Sequence, residues 1–465
     1  MEDSSLPYTP ETVSAHFVGV GGAGMSALAR IVLARGASVS GSDLKDSKYV
    51  RNLRELGATI FVGHDADNIG DPDVVVVSTA IPESNPEVVA ARERGIQVWP
   101  RAQMLAYLAG ERKTIAVAGT HGKTSTSSMV ATMFRAMGES PSFCVGGIVD
   151  GVDVNAENGE GDLYVVEADE SDGSFVFLDP FVSLVLNMEP DHLDHYASFE
   201  EIKDVFKTFM GSTHEEGAIV ICGDDDDLVE LAGKIEGKRI VTFGKRETCD
   251  YRYKIVARSG VGSEFELYHE GRCLATSSVS VPGEHMVSNA TAALAVAAVL
   301  GFDIEAAAKG LRSFSGVRRR FDLIGEVNDI TVVDDYGHHP TEIAATLSAA
   351  AGLGFNRVVV AFQPHRYTRV QTLVEDFGKA FTKADRTVIL DVYSAGEEPI
   401  PGVSGRSIVE SILRQYPRAQ VAFIPHRDEI ATYLKSIALP GDIVLTMGAG
   451  DVTTIGPELV DSLQG

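Results

Sequence analysis

The chain has 465 residues, room for about three domains of about 150 residues, each able to bury its own core. Forty Lys+Arg against 66 Asp+Glu give a formal net charge of −26, a field that repels nucleic acid and anionic lipid, so an anionic substrate needs a local island of glycines, backbone N–H groups and a few Lys or Arg. No run approaches the roughly 18 apolar residues of a membrane span, MEDSSLPYTP lacks a secretory or transit pattern, and Cys144, Cys222, Cys249 and Cys273 show no CxxC spacing, so a cytoplasmic chain with reduced thiols is expected.

From residue 15 to about 109, short apolar strands alternate with amphipathic helices: AHFVGV, a glycine turn, MSALARIVLARG, ASVSGSD, DVVVVSTAI and the helix RAQMLAYLAG. That alternation predicts a doubly wound domain over residues 1–110. Its turn GVGGAG, Gly19 to Gly24, matches GxGxxG between a strand and a helix, and Asp43 closes the next strand about twenty residues on. Glycines let the backbone approach a diphosphate, and a helix N-terminus supplies N–H donors and partial positive charge. The motif alone does not choose between nucleotide ligands.

The polar GERK, Gly110 to Lys113, marks a linker into a second α/β domain over residues 111–316. TIAVAG, LYVVEADE, VSLVLNMEPDH, GAIVICGDD and RIVTFG are β-rich runs with polar carboxyl ends, as a parallel sheet with a site along one edge requires. YRYKIVAR, SEFELYHE and CLATSSVSVPG alternate with period two and turn at SGVG and EGR, predicting an antiparallel patch before the alanine-rich helix SNATAALAVAAVL.

GTHGKTS, Gly119 to Ser125, follows the strand TIAVA and opens the helix TSTSSMVATMFRAMG, the setting of a phosphate-binding loop. Strict Walker A spacing needs a glycine where Val117 stands, so the loop is a shortened variant. Lys123 is placed to reach the β- and γ-phosphates of ATP and Thr124 to ligate Mg²⁺; Gly119, Thr120, His121, Gly122 and Ser125 complete the cradle. Glu167 ends LYVVE and His192 lies past VSLVLN, both at the carboxyl ends of strands beside the loop. Residue types alone leave DHLDH open as metal ligands or a capping cluster. Asp224 to Asp227 reads as a solvated loop.

The basic VRRRF, Val317 to Phe321, precedes a third series of strands over residues 317–465: DITVVDDY, RVVVAFQPH, RTVILDVY, QVAFIPH and DIVLTMGAGD. Helices are expected around Thr341 to Ala351, Leu373 to Phe381 and Ile408 to Gln415. DDYGHHPTEI and QPHRYTR follow two of the strands and place Asp335, Tyr336, His338, His365, Arg366 and Arg369 around one rim, where two arginines suit a carboxylate or phosphate. HPTEI, with Pro340 in its first turn, is also a good helix start. GAGD, Gly448 to Asp451, reads as a structural turn or as a secondary phosphate contact.

Together GVGGAGMSALA, AGTHGKTSTSSM, EADESDGSF, NMEPDHLDHY, GEHMVSNATAAL, DDYGHHPTEI, FQPHRYTR and DVYSAGE resemble the Mur ligase family from Gly19 to Asp451. The resemblance implies a three-domain α/β chain: an N-terminal Rossmann-like domain for a UDP sugar, a central P-loop ATPase-type domain, and a C-terminal Rossmann-like domain for an amino acid. It implies an ATP- and Mg²⁺-dependent ligase that joins L-alanine to the carboxylate of UDP-N-acetylmuramate through an acyl phosphate, releasing ADP and phosphate, in cytoplasmic peptidoglycan precursor synthesis. DDYGHHPTEI and FQPHRYTR favour the branch that takes a single amino acid. By the same resemblance Lys123, Glu167 and His192 are catalytic, Thr124 holds one Mg²⁺, and Glu167 and His192 hold a second metal ion. His285 and Asn289 match adenine contacts, with helix capping by Ser288 or Asn289 as an alternative. Gly21, Gly22 and Gly24 face the diphosphate of the sugar nucleotide and Asp43 its uracil or ribose, with Ser42, His64 and Ser78 nearby. Tyr336, His338, Arg366 and Arg369 match the amino-acid site. Lys203 and Lys207, in a stretch where other members carry a carbamylated lysine, read as a solvated helix face.

Overall fold

The computed structural model describes residues 13–78, 80–110, 112–169, 177–190, 196 and 198–464. In the first hundred residues, apolar runs too short for helices pair side by side as β1 (Ala15–Val18), β2 (Val39–Asp43), β3 (Thr59–Val62), β4 (Val74–Val77) and β5 (Gln97–Pro100). Their order is β3-β2-β1-β4-β5 and every pair is parallel. The connecting helices are α1 (Ala23–Ala34), α2 (Lys48–Glu55) and α3 (Pro86–Glu93), with α4 (Arg101–Ala109) after β5. The winding reverses between β1 and β4, so a crevice opens outside their carboxyl ends, where GVGGAG follows β1 and Ser78 follows β4. The doubly wound expectation holds, with two edge strands the sequence pattern does not announce. Three of the four β3 positions are exposed and β5 ends in Pro100, so neither carries an apolar run.

The next strands are β6 (Lys113–Ala118), β7 (Ser142–Cys144), β8 (Ala156–Glu157), β9 (Leu163–Glu167), β10 (Val182–Val185), β11 (Ala218–Cys222) and β12 (Ile240–Gly244). After them come β13 (Tyr251–Ser259), β14 (Gly262–His269) and β15 (Arg272–Val279). All ten share one sheet, ordered β15-β14-β13-β12-β11-β10-β6-β9-β7-β8. The expected antiparallel patch is the meander β13 to β15, which extends the parallel part of the same sheet. At its centre β9, β6 and β10 are parallel neighbours, buried along nearly their whole length, so their carboxyl ends lie side by side. The helices here are α5 (Lys123–Ala136), α6 (Phe199–Gly211), α7 (Asp226–Ala232), α8 (Glu284–Val299) and α9 (Ile304–Leu311). Lys203 and Lys207 do lie on the outer side of α6, Lys203 paired with Asp227 at 2.9 Å.

The third sheet holds β16 (Asp322–Val327), β17 (Ile330–Asp335), β18 (Arg357–Phe362), β19 (Arg386–Ile389), β20 (Val421–Phe423) and β21 (Asp442–Met447), ordered β16-β17-β21-β18-β19-β20. Only β16, half-exposed and missed by the sequence pattern, runs antiparallel. Its helices are α10 (Pro340–Ala351), α11 (Tyr367–Ala380), α12 (Gly405–Gln415), α13 (Ile430–Ile437) and α14 (Ile455–Gln464). Helix α11 starts six residues before the expected Leu373, because Leu373 is itself non-helical (φ −109°, ψ 17°) and interrupts the apolar period.

The acidic run Asp224 to Asp227 corrects its expectation of a solvated loop. Asp225 caps α7 through the N–H of Leu228 and accepts the N–H of Met188 at 3.1 Å, while Asp224 accepts the N–H groups of Lys245 and Arg246. The run therefore ties together loops that follow β10 and β12.

One continuous apolar core joins the first two domains, running from Phe17 and Leu28 through Cys144 and Ala156 to Phe206 and Leu231. The third domain has its own cores on the two faces of its sheet. All four cysteines are free thiols. No helix among the described residues is long and apolar enough to cross a membrane.

Candidate active site

The glycine loop after β1 closes on β2. Gly21 donates its N–H to Asp43 Oδ2 at 2.8 Å, and a Cβ at Gly21 would lie 2.7 Å from that oxygen, so a larger residue would push the carboxylate aside. Gly22 caps α1 with no side-chain acceptor, and Gly24 in its first turn lies against the guanidinium of Arg101. Ser78, after β4, faces Gly19 across the crevice. Asp43, the three glycines and Ser78 thus meet at the switch point. Ser42 and His64 are placed differently from a ligand rim. The Ser42 hydroxyl is fully buried and donates to Glu87 Oε2 at 2.6 Å, and His64 Nδ1 lies 2.9 Å from the same oxygen. Burial alone would raise the Glu87 carboxyl, yet His16, Ser42, Asn68 and His64 hold it down at about 2. Glu87 sits inside a helix with no motif around it, so nothing in the sequence signals this network.

The phosphate loop is built as its spacing predicts. Gly122 caps α5 at φ +82°, a conformation that favours glycine, and a cap without a side chain leaves the first-turn N–H groups facing outward. Lys123 Nζ donates to the carbonyls of Gly119 at 2.7 Å and Thr120 at 3.4 Å, curling the side chain over the loop. Asn187, after β10, fixes the loop from the side: its Oδ1 accepts the His121 N–H at 2.7 Å and its amide donates to the His121 carbonyl at 3.0 Å. Thr120 Oγ1 accepts the Glu189 N–H at 2.8 Å.

Thr124 and Glu167 come together from α5 and the end of β9, the hydroxyl donating to Oε1 at 3.1 Å, while Oε2 accepts the Gly146 N–H at 2.7 Å. Two hard oxygen donors beside a phosphate loop fit a magnesium ion. His192, expected to hold a second ion with Glu167, falls with Asp191 to His195 outside the described residues. His285 and Asn289 project from α8 toward the loop, and a Cβ on Gly122 would lie 3.2 Å from the Asn289 amide. Gly283 is the cap of α8, so neither Ser288 nor Asn289 caps it and that alternative is excluded. Burial pushes the His285 imidazole down to about 4, leaving it neutral.

The third domain meets this loop directly. A cavity of about 200 Å³ is walled on one side by His121, Ser125, His285 and Asn289 and on the other by Arg320, Asp335, Thr341 and Glu342. Thr341 Oγ1 donates to Glu189 Oε2 at 2.7 Å, and His121 lies between Glu189 (3.3 Å) and Glu342 (3.4 Å) with its ring 4.7 Å from that of His339. Burial would depress the His121 imidazole, but hydrogen bonds to the two carboxylates raise it to about 9, so it is a cation at neutral pH. Asp335 is buried, which lifts its carboxyl to about 6 despite Arg320 and the N–H groups of Gly337 and Phe321.

From the cavity a rim of polar and aromatic side chains continues along the ends of β17 and β18. The Tyr336 ring lies under the guanidinium carbons of Arg319 (4.8 Å) and Arg320 (5.1 Å) and edge-on to His338 at 5.4 Å. His338 reaches His365 at 5.8 Å, and His365 stacks on Tyr393 at 5.7 Å. Arg369 is buried with its guanidinium on the His365 carbonyl at 3.4 Å, and Arg366 begins α11 at φ +68°. The helix start at HPTEI is real as well: His339 caps α10 in a capping box with Glu342. GAGD is a turn whose Gly448 carbonyl accepts from Arg319 at 2.8 Å and whose Asp451 accepts from Gln363 at 2.7 Å.

Sequence reasoning missed Arg319, Arg320, Asn187, Glu189, Glu342 and Tyr393 as members of this site. The available signal was position: VRRRF, NMEP and HPTEI all sit beside a motif, at the carboxyl end of a strand or just before one.

Comparison with known proteins agrees with this architecture. Family descriptions match in chain order: Mur ligase family, catalytic domain, over residues 14–113; Mur ligase middle domain over 117–297; and Mur ligase, glutamate ligase domain, over 319–450. A UDP-N-acetylmuramate–L-alanine ligase of Geobacter sp. (strain M21) is 47% identical over 446 residues, covering 96% of each chain. The protein of that name from Myxococcus xanthus is 45% identical over 460 residues, 99% of this chain and 97% of its own. The crystal structure of the UDP-N-acetylmuramate-alanine ligase of Thermotoga maritima superposes with a TM-score of 0.81 at 31% identity, covering 97% of this chain and 99% of that one. A murein peptide ligase from Psychrobacter arcticus gives 0.72 at 26% identity, covering 97% and 98%. With three matching domains in one order and near-complete coverage at this identity, the chain belongs to the Mur ligase family.

Proposed function

We propose that this chain is an ATP-dependent ligase that joins L-alanine to the carboxylate of UDP-N-acetylmuramate, forming ADP and phosphate, in cytoplasmic synthesis of the peptidoglycan precursor. The observation that carries the reading is the cavity where the phosphate loop faces Arg320, Asp335 and the turn leading to Tyr336 and His338. This supports a nucleotide site and an amino-acid site on separate domains that face one cleft, as a reaction passing through an activated acyl group needs. The matched enzymes bearing the L-alanine ligase name span nearly the whole chain. We assign residues 1–110 to the sugar nucleotide, 111–316 to ATP and 317–465 to the amino acid, in keeping with the sheets β1–β5, β6–β15 and β16–β21.

In this reading the muramyl carboxylate oxygen attacks the γ-phosphorus, the bond to the ADP oxygen breaks, and an acyl phosphate forms. The neutral amine of L-alanine then adds to the acyl carbon, its nitrogen gives up one proton to solvent, and the tetrahedral intermediate expels phosphate as the amide forms. Lys123 and the outward N–H groups of α5 meet the charge of the transferring phosphoryl group. Thr124 would hold one magnesium ion and Glu167 with His192 a second, and such ions when bound supply positive charge against the phosphates. Gly21, Gly22, Gly24, Asp43 and Ser78 receive the sugar nucleotide, while Ser42 and His64 support that crevice from beneath through Glu87. His285 and Asn289 flank the nucleotide base. Arg366 or Arg369 pairs with the alanine carboxylate, and Tyr336 and His338 line the amine side.

The test is phosphate release with ATP, Mg²⁺ and UDP-N-acetylmuramate, with L-alanine, glycine, L-serine or the muramyl tripeptide as acceptor. Release that requires L-alanine, with the amide product seen by mass, supports the proposal. Release with the tripeptide alone replaces it with a peptide-recycling ligase.

A further inference from the structure

Glu342 does more than its helix requires. As the third residue of α10 it accepts the N–H groups of His338 at 3.0 Å and His339 at 3.2 Å through Oε2, which closes the capping box. A neutral glutamine provides the same acceptor in that motif. Oε1 faces away from the helix start, toward His121 Nδ1 of the phosphate loop at 3.4 Å and the Arg320 guanidinium at 3.7 Å. The side chain is 13% exposed, so both cations meet the carboxylate with little water between them. One carboxylate therefore holds three things: the turn that carries Tyr336 and His338, the histidine inside the nucleotide cradle, and the arginine between them.

We propose that Glu342 is a positioning residue that couples the nucleotide site to the amino-acid site, so that filling one raises the affinity of the other. The cap accounts for one oxygen of the carboxylate, and the charge on the other serves the junction between domains. Placing His121 correctly for the phosphates brings its ring toward Glu342, and the backbone N–H groups on Oε2 then fix the turn that receives the amino acid. Coupling of this kind is reciprocal: L-alanine tightens the nucleotide by the factor with which the nucleotide tightens L-alanine.

The proposal rests on the ligase reading, and the experiment separates the two. Affinity for the non-hydrolysable β,γ-imido analogue of ATP is measured by calorimetry on the full chain with Mg²⁺ and UDP-N-acetylmuramate, with and without saturating L-alanine. The wild-type chain should bind the analogue about five-fold or more tightly when L-alanine is present. Glu342→Gln keeps the cap, so its urea midpoint should stay near wild type while the ratio falls to near one. Adding His121→Asn to Glu342→Gln should change the ratio no further. In initial rates, the variant's KM for ATP should no longer depend on L-alanine concentration. A Glu342→Gln chain that keeps the wild-type ratio, or a wild-type ratio of one while the alanine amide forms normally, overturns the coupling and leaves the ligase reading standing. No amide from the wild-type chain removes both.

Discussion

The hydroxyl of Thr124 donates to Glu167 Oε1 at 3.1 Å, joining the first turn of the phosphate-loop helix to the end of the neighbouring strand. A cation bound at these oxygens need not break the hydrogen bond, since a hydroxyl can meet an ion through its lone pair while its proton still points to the carboxylate. Replacing Glu167 by Gln removes one negative charge from the pair while leaving an oxygen and similar bulk. The half-saturating Mg²⁺ concentration should rise about ten-fold or more, in line with loss of a charge-assisted contact of about 1.5–3 kcal/mol. An unchanged Mg²⁺ titration of product formation removes Glu167 from the metal site.

Lys123 curls over the carbonyls of Gly119 and Thr120, and its removal leaves the first domain untouched. Lys123→Ala should abolish product, with a rate loss of about a hundred-fold or more for a lost electrostatic stabiliser of the transition state. Binding of UDP-N-acetylmuramate, followed by calorimetry, should remain within about two-fold, since the crevice and the loop sit at the ends of different sheets. Loss of both would show that the two sites are not divided between the domains as proposed.

Asp335 supplies a pH signature. Its carboxyl titrates at about 6 in the fold against 3.8 when unperturbed, chiefly because it is buried, with Arg320 opposing and Glu342 adding to the shift. A folded value above the unfolded one means the fold favours the neutral acid. That contribution is complete below 3.8 and lost as pH rises through about 6, leaving the ionised group at a cost on the order of 3 kcal/mol above that. Asp335→Asn should therefore raise the urea midpoint at pH 8, by less than the full amount because the amide loses one acceptor for the Phe321 N–H. The gain should shrink toward pH 5. No stabilisation at pH 8 contradicts this account.

Arg366 holds φ +68° at the start of α11, a conformation glycine adopts without cost. Arg366→Ala and Arg366→Gly should both raise the KM for L-alanine about ten-fold or more if the guanidinium meets the amino-acid carboxylate. The glycine variant should fold more stably than the alanine one. Equal KM values for the variants and the wild-type chain exclude the pairing, and Arg369 would then be the remaining guanidinium of that motif.

What the sequence makes legible and what it hides separate along a physical line. GTHGKTS can be read because its glycines, Lys123 and Thr124 fall within seven residues between a strand and a helix with clear periods, although Asn187 and Glu189, which brace the loop, lie far along the chain. Glu342 was hidden because the capping box accounts for it locally, and its second role exists only after two domains meet. Arg319 and Arg320 sit in a stretch that reads as a boundary, yet they flank Tyr336, which follows 17 and 16 residues later just past the end of β17. Glu87 was hidden for the opposite reason: a fully buried carboxylate within PEVVAARE looks like a solvated helix residue until its four polar neighbours are assembled. Strands β3, β5 and β16 were missed because edge strands bury too little to carry a pattern.

The continuous core shared by the first two domains has a thermal consequence. Residues from Val13 to Ala232 that pack into one apolar cluster cannot lose their order piecemeal, whereas the third domain encloses its own cores and meets the others through polar contacts such as Thr341 to Glu189 and a small apolar bridge at Val317 and Phe321. Scanning calorimetry should show two endotherms and not three, with enthalpies in a ratio of roughly two to one at about 0.7 kcal/mol per residue. Turnover should vanish with whichever transition comes first, because the reacting groups lie on the seam between the two melting units. Three domains would then behave, on heating, as two.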